Sequence, residues 1–464
     1  MTSPRIRVLL LNPPGDELYL RDNYCSFTSK ADYYWPAIDL LAQSGILSQH
    51  FDVHVRDALV DKKSFADCLD DIANLKPQFV LMVTGFASKH NDNNFLHQLK
   101  QRLPGIRVIV SGGYPFFQKV QALEENLEID AILMDYTSNG SIAYINGDYA
   151  NVVDMLYRDA GRIVESRSDP SRKFNYPPPR HELFPLTKYR IPNSKRRPFT
   201  IMLASSGCPF KCSYCVFAGV PYQYRGIENI IEEMRVVRDL GIKEVSFIDP
   251  TFTISKKRTQ DLCQRMIDEK FDFTWVCLSR CDTIDEPTID LMARAGCHSI
   301  QFGVESGESA ILLKHTKDLK LEEVEEAFRL CRKYRIDILA YFIIGLPGDD
   351  EVSIRKTIDF AKRLDPEFAS FTVATPDYGT RLRDECVDNN WIKVENDNFD
   401  STDTAIIDYG TIAPARIRAL HRIAVREFYL RPSYIWRQIL RVRSLADFTD
   451  KLRNFLELLR KQML

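Results

Sequence analysis

The feature that most restricts the fold of this chain is an alternation of short, apolar, β-branched runs with helix-length amphipathic segments, in two separate series. In the first, IRVLLLN (6–12), FDVHV (51–55), QFVLMVTG (78–85), IRVIVSGG (106–113) and IDAILM (129–134) read as strands. The helices between them are expected near 36–48, 63–75, 91–102 and 117–126. Near-continuous hydrophobic strands joined by helices need a parallel sheet covered on both faces. The expectation for residues 1–140 is therefore an α/β, Rossmann-like doubly wound parallel sheet, with ligands at the carboxyl ends of its strands.

The second series begins after a proline-rich stretch. Pro170, Pro177, Pro178, Pro179, Pro185, Pro192 and Pro198, with the basic run Lys195-Arg196-Arg197, mark 141–198 as a linker laid over a surface. From 199 to 385 six further strands are expected: FTIMLA, KEVSFID, FTWVCLS, HSIQFGV, DILAYFIIG and FASFTVA. Helical segments such as IENIIEEMRVVRDLG and LEEVEEAFRLCRKYR separate them. Six βα units amount to a partial (βα)6 TIM-like barrel, whose chemistry sits on loops at the C-terminal strand ends. Residues 386–464 are expected to form a mostly helical C-terminal extension, packed through the apolar face of ARIRALHRIAVREFYL.

At 464 residues the chain is too long for one ordinary core. A net charge of −2 offers no global attraction to nucleic acid or to an anionic membrane. No apolar run reaches the roughly 18 residues of a membrane span, and the N-terminal apolar run is too short and strand-like for a signal peptide. A cytoplasmic protein with no nucleic-acid partner and no membrane span is expected. Eleven cysteines, an odd number without a secretory signal, argue against a disulfide framework. Eight are scattered singly and read as small core residues.

The remaining three, Cys208, Cys212 and Cys215, lie in SSGCPFKCSYCVFAG, immediately after the first barrel strand. Three thiolates at this spacing can bind three corners of an iron–sulfur cube, although ligand softness alone does not separate iron–sulfur from zinc. Structural zinc wants four protein ligands, and an electron-transfer ferredoxin wants a fourth cysteine. A three-cysteine loop at the active end of a barrel implies an open coordination position. A non-catalytic zinc- or cluster-binding interaction protein is the alternative, distinguished by its metal content.

With these residues the chain resembles the radical S-adenosylmethionine (SAM) superfamily, in spacing, in setting and in Tyr214 before the last cysteine. The resemblance implies a [4Fe–4S] cluster on the three cysteines, its unique iron chelated by the amino and carboxylate groups of SAM. Reductive cleavage then releases a 5′-deoxyadenosyl radical that takes hydrogen from an unactivated carbon, inside a barrel that excludes solvent. It also implies an electron donor such as flavodoxin or ferredoxin, and a small-molecule substrate. SRCDTID (279–285) and FGVESGE (302–308) resemble cofactor-binding strand ends, placing Arg280 on the carboxylate and Glu305 on a polar group of the cofactor. FIIGLPGD (342–349) resembles the segment whose backbone, at Gly345, approaches adenine, and Tyr214 is expected to present backbone there too. Asp249, in IDPTF, and Tyr378, in TPDYGT, are expected at the barrel mouth as candidate catalytic residues that orient substrate or move a proton.

The first domain resembles the cobalamin-binding domain of one branch of that superfamily, through LLNPPG, PAIDLLAQSGIL, the strand ending VTGF and VIVSGGYP. FYLRPSYIWRQIL resembles the branch's C-terminal extension. The chain has no Asp-x-His-x-x-Gly lower-ligand motif, and DYTSNGSIAYINGD stands where the branch carries an acidic-glycine segment. Two reactions follow. One is cobalamin-dependent C-methylation. The other is a cobalamin-independent dehydration, epimerisation or carbon–carbon bond formation on a sugar or lipid. A Rossmann dehydrogenase is the weakest reading, because NPPGDELY after the first strand has no G-x-G-x-x-G turn.

Overall fold

The computed structural model describes residues 5–22, 25–30, 33–168, 174–191, 193–392 and 404–442, with scattered residues between 449 and 460. Pro170 and Pro192 of the expected linker, and most of the tail beyond 442, lie outside the described residues.

The first sheet has seven strands, in the spatial order Asp52–Asp57, Arg7–Asn12, Phe79–Val83, Arg107–Ser111, Ala131–Leu133, Met155–Asp159, Arg162–Glu165. The first five are parallel, as their hydrophobic runs require. Every residue of Phe79–Val83 is buried, with helices on both faces. The last two strands pair antiparallel and extend the sheet into the stretch expected to be linker. They are joined by Ala160 and Gly161, both at positive φ, the geometry of a two-residue hairpin. The helix expected at 117–126 is instead two short helices, Gly113–Gln118 and Val120–Glu125, broken at Lys119 with φ +50°.

The second sheet contains the six expected strands in chain order, all parallel: Phe199–Met202, Glu244–Phe247, Thr274–Ser279, Cys297–Glu305, Asp337–Ile344 and Phe368–Val373. Its first and last strands do not pair, so the barrel is partial. Along Asp337–Ile344 burial alternates strictly. Ile338, Ala340, Phe342 and Ile344 are sealed under helices, while the inward-facing residues are only half-buried. Helix Pro414–Tyr429 packs beside the last strand, where Tyr429 Oη donates to the Ala369 carbonyl at 2.6 Å.

The carboxyl ends of the two sheets face each other. Phe86, just past Phe79–Val83, stacks on Tyr378, just past Phe368–Val373, with ring centroids 4.4 Å apart and planes 6° from parallel. Phe117 fills the space beside Gly379, where a Cβ would lie 2.3 Å from its ring. Lys30 reaches across to donate to Ser370 Oγ and to the Phe371 carbonyl. The stretch expected as surface linker packs between the cores, with Phe174, Tyr176, Phe184 and Tyr189 buried. Its Tyr176 lies against the buried Arg225 guanidinium, which pairs with the equally buried Glu233.

Candidate functional site

The three-cysteine loop begins where the first barrel strand ends. Ser205–Ser206 pairs antiparallel with Gln223–Tyr224, closing the base of a loop that holds residues 207–222. Gly207, at φ +70°, begins it; a Cβ there would sit 2.2 Å from the Pro221 carbonyl oxygen, so only glycine allows the crossing. Within the loop the Cys215 amide donates to the Cys212 carbonyl. Cys208 and Cys212 are buried, Cys215 is half-buried, and all three thiols are free.

Burial pushes the Cys215 thiol up to about 12 and raises Cys208 as well. The three sulfurs stand close enough for Cys212 and Cys208 to add to the rise at Cys215. Such thiols are inert until a cation deprotonates them, as a coordinated metal does. Among the described residues no three His, Cys, Asp or Glu side chains converge on a single ion. Attachment to three corners of a cube does not ask for that convergence, because each thiolate then binds its own iron. Three thiolates with no fourth protein ligand at a short spacing suit a cluster with one open corner better than a structural zinc ion.

Of the other expected residues, Tyr214, Arg280 and Glu305 surround this loop. Arg280 Nη1 lies 3.7 Å from Cys212 Sγ, and its guanidinium sits 3.8 Å over the Phe210 ring. Asp282 holds the same guanidinium through two bonds, at 3.0 and 2.7 Å. Tyr214 Oη is buried near the Cys212 sulfur without a hydrogen-bond partner. Glu305 closes its strand at φ +69°, where the register with the next strand slips. Such a bulge redirects a side chain at some backbone cost.

The structure places the other three expected residues as follows. Asp249 does not project into the mouth; it is fully buried and accepts from the Ala204 amide at 3.0 Å and Ser205 Oγ at 2.6 Å. Its carboxylate bridges the start of the cysteine loop, and burial raises its pKa. Tyr378 has both ring faces covered, by Phe86 and by the Arg383 guanidinium 3.4 Å away, which makes it a joint between the two sheets. Gly345, at φ +84°, is backed by Ile417 of the C-terminal helix, 2.6 Å from where a Cβ would stand.

Two residues with no sequence signal complete the site. Lys317 is buried and donates to Glu305 Oε1 at 3.0 Å, while its backbone carbonyl accepts from Arg280 Nη2 at 2.7 Å. Burial works against its ammonium, but Glu305 and the Cys212 sulfur together more than offset this, leaving the pKa above its ordinary value. His315 Nε2 faces the Pro347 carbonyl at 3.0 Å and must donate to it. Its Nδ1 is then the acceptor for Ser213 Oγ at 2.7 Å, which ties the cysteine loop to the turn after Asp337–Ile344. At the facing edge of the first sheet, Thr84 Oγ1 is buried with no hydrogen-bond partner.

Residues 202–361 match the radical SAM superfamily. The chain is 28% identical over 424 residues to an uncharacterised methyltransferase of Pyrococcus horikoshii, covering 87% of this chain and 90% of that one. It is 27% identical over 377 residues to the bacteriochlorophyllide d C-12(1)-methyltransferase of Chlorobaculum tepidum, covering 75% and 80%. The fold is shared with the radical SAM methyltransferase TsrM of Kitasatospora setae, solved with cobalamin and a [4Fe–4S] cluster bound. That structure matches at a TM-score of 0.63 and 18% identity, over 84% of this chain and 79% of the other. The cysteine loop lies inside this segment, so residues 202–361 read as a radical SAM domain in a chain similar to methyltransferases of that kind.

Proposed function

We propose that the protein is a cobalamin-dependent radical SAM C-methyltransferase acting on a small molecule. The observation that carries this is the meeting of the two sheets at their carboxyl ends, where Phe86 stacks on Tyr378; two positions before Phe86, the buried Thr84 hydroxyl has no hydrogen-bond partner. Cys208, Cys212 and Cys215 would hold a [4Fe–4S] cluster, and Thr84 would meet cobalamin. When bound, the cluster supplies one electron for the cleavage of SAM, and a methylated cobalamin supplies a methyl group.

The chain's own residues prepare the site. Arg280 and Lys317 put positive charge beside the cysteine sulfurs, which favours the thiolate form. Ser213 and His315 fix the loop between the cysteines. The joint formed by Phe86, Tyr378 and Phe117 seals the edge of the cleft with apolar surface, limiting the water that reaches a reactive intermediate. The half-buried lumen residues, including Tyr341 and Thr372, would line the substrate's place. All described cysteines are free, which suits a reducing cytoplasm and an electron from flavodoxin or ferredoxin.

The test is spectroscopic. Protein reconstituted anaerobically with iron and sulfide, mixed with hydroxocobalamin and desalted, is expected to be brown and to retain about one equivalent of corrinoid. A brown protein that loses all corrinoid would rule out the cobalamin step and leave reactions driven by SAM cleavage alone. A colourless, zinc-loaded protein would overturn the enzyme reading.

A further inference from the structure

We infer that Lys317, rather than Arg280, receives the carboxylate of the bound cofactor's amino-acid portion; this rests on the reading of the site as one for SAM. The argument is a count of donors. Arg280 spends Nε and one Nη2 hydrogen on Asp282, the other Nη2 hydrogen on the Lys317 carbonyl, and one Nη1 hydrogen toward Cys212 Sγ. One N–H of five is left, and the bidentate Asp282 already balances its charge. One face of its plane is covered by Phe210.

Lys317 is in the opposite position. Its side chain is 5% exposed and its ammonium makes a single hydrogen bond, to Glu305 Oε1. Two N–H donors remain in a place water scarcely reaches, an arrangement that favours an anionic acceptor from a ligand. The ammonium also lies within electrostatic reach of Cys212 and Cys215. Gly303 makes room for the pair itself: a Cβ there would stand 2.3 Å from Glu305 Oε1 and 3.0 Å from Lys317 Nζ. Glu305 itself is turned toward the pair by the slip in register and its positive φ. Its second oxygen is left for the ammonium or a hydroxyl of the same ligand. Lys317 and Glu305 together thus match both ends of an α-amino acid, while Arg280 holds the pair in place through the Lys317 backbone.

The test compares two ligands on the cluster-loaded protein, SAM and its decarboxylated analogue, with binding read by ultrafiltration of radiolabelled compound under anaerobic conditions. Lys317→Met is expected to weaken SAM by about tenfold or more while changing the analogue by less than about twofold, as loss of one charge-assisted contact would. Lys317→Arg should recover most of the affinity for SAM. Gly303→Ala, which leaves every charge in place and crowds the pair, should show the same selective loss. Equal weakening of both ligands in Lys317→Met and Gly303→Ala would make the lysine a structural residue and overturn the assignment; unchanged affinity for SAM would do the same. Wild-type protein that carries its cluster yet binds neither ligand would remove the SAM reading itself, and this assignment with it.

Discussion

Replacing Asp57 by Asn is expected to stabilise the first sheet at neutral pH, and the gain should vanish in acid. Asp57 ends the strand beside Arg7–Asn12 and is 3% exposed. Its Oδ1 accepts from Asn12 Nδ2 at 2.9 Å and the Val60 amide at 3.2 Å; its Oδ2 accepts from Tyr189 Oη at 2.9 Å. Among the described residues no cation pairs with it, and burial raises its pKa from 3.8 to about 6 despite these bonds. A carboxyl held there costs the ionised native state about 3 kcal/mol relative to the unfolded chain. As pH rises through the unfolded value the unfolded chain releases its proton while the folded chain keeps it. Stability is therefore lost between about pH 4 and pH 6, and the whole cost is present above that window.

An asparagine carries no charge and can keep the geometry. Its Oδ1 retains Asn12 and Val60, and its Nδ2 donates to Tyr189 Oη once that hydroxyl turns round. Amide exchange of Arg7–Asn12 and Asp52–Asp57 provides the readout, since both strands open with the sheet they belong to. At pH 7.5 Asp57→Asn should slow it by about 100-fold, corresponding to about 3 kcal/mol, and near pH 4 the variant and the wild type should coincide. A difference that does not change with pH, or an asparagine variant less protected at pH 7.5, would refute the reasoning.

Serine in place of Cys208, Cys212 or Cys215 should each abolish the brown chromophore and most bound iron while leaving circular dichroism unchanged, since the swap is nearly isosteric. Asp249→Asn should leave cleavage of SAM unaltered, because the side chain is buried against the Ala204 amide and Ser205 hydroxyl at the base of the cysteine loop, contacts that an amide can keep once that hydroxyl turns round. A large loss of cleavage in well-folded Asp249→Asn would restore it as a catalytic residue. Alanine at Phe86 and at Tyr378, singly and together, should give a coupling of about 1 kcal/mol in a thermal-unfolding double-mutant cycle, as expected for a stacked pair. Additive effects would show that the stack does not join the sheets.

The parallel strands were legible because their apolar runs are continuous: a stretch such as FVLMV has no polar face to offer solvent. Met155–Asp159 and Arg162–Glu165 were not, because an edge hairpin is short and half polar, and its pairing partner lies outside its own window. The same locality explains the site. The cysteines announce themselves by spacing within eight positions of one loop. The partners that organise them do not: Ser213 meets His315 across 102 positions, and Arg280 meets the Lys317 carbonyl across 37. Asp249 carried a true signal, a polar residue just beyond a strand, but which way such a residue turns depends on the neighbouring loop. Here the Ala204 amide and Ser205 hydroxyl claim it.

Glycine shows the limit most clearly. Gly303 and Gly345 both lie at or near the ends of adjacent strands in the second sheet, and sequence alone offers a reason only for Gly345, a backbone expected to come close to a ligand. In the fold their reasons differ. Gly345 is small because Ile417 of the C-terminal helix occupies the space a Cβ would need. Gly303 is small because the Lys317–Glu305 pair occupies it. Substituting alanine at 345 presses on an isoleucine in the core and should be felt as instability. At 303 it presses on the mobile ends of two charged side chains, which can move aside, and should be felt as lost binding with the fold retained. One residue type, at neighbouring strand ends, thus serves packing in one case and chemistry in the other, and only the atoms that face the missing Cβ separate the two.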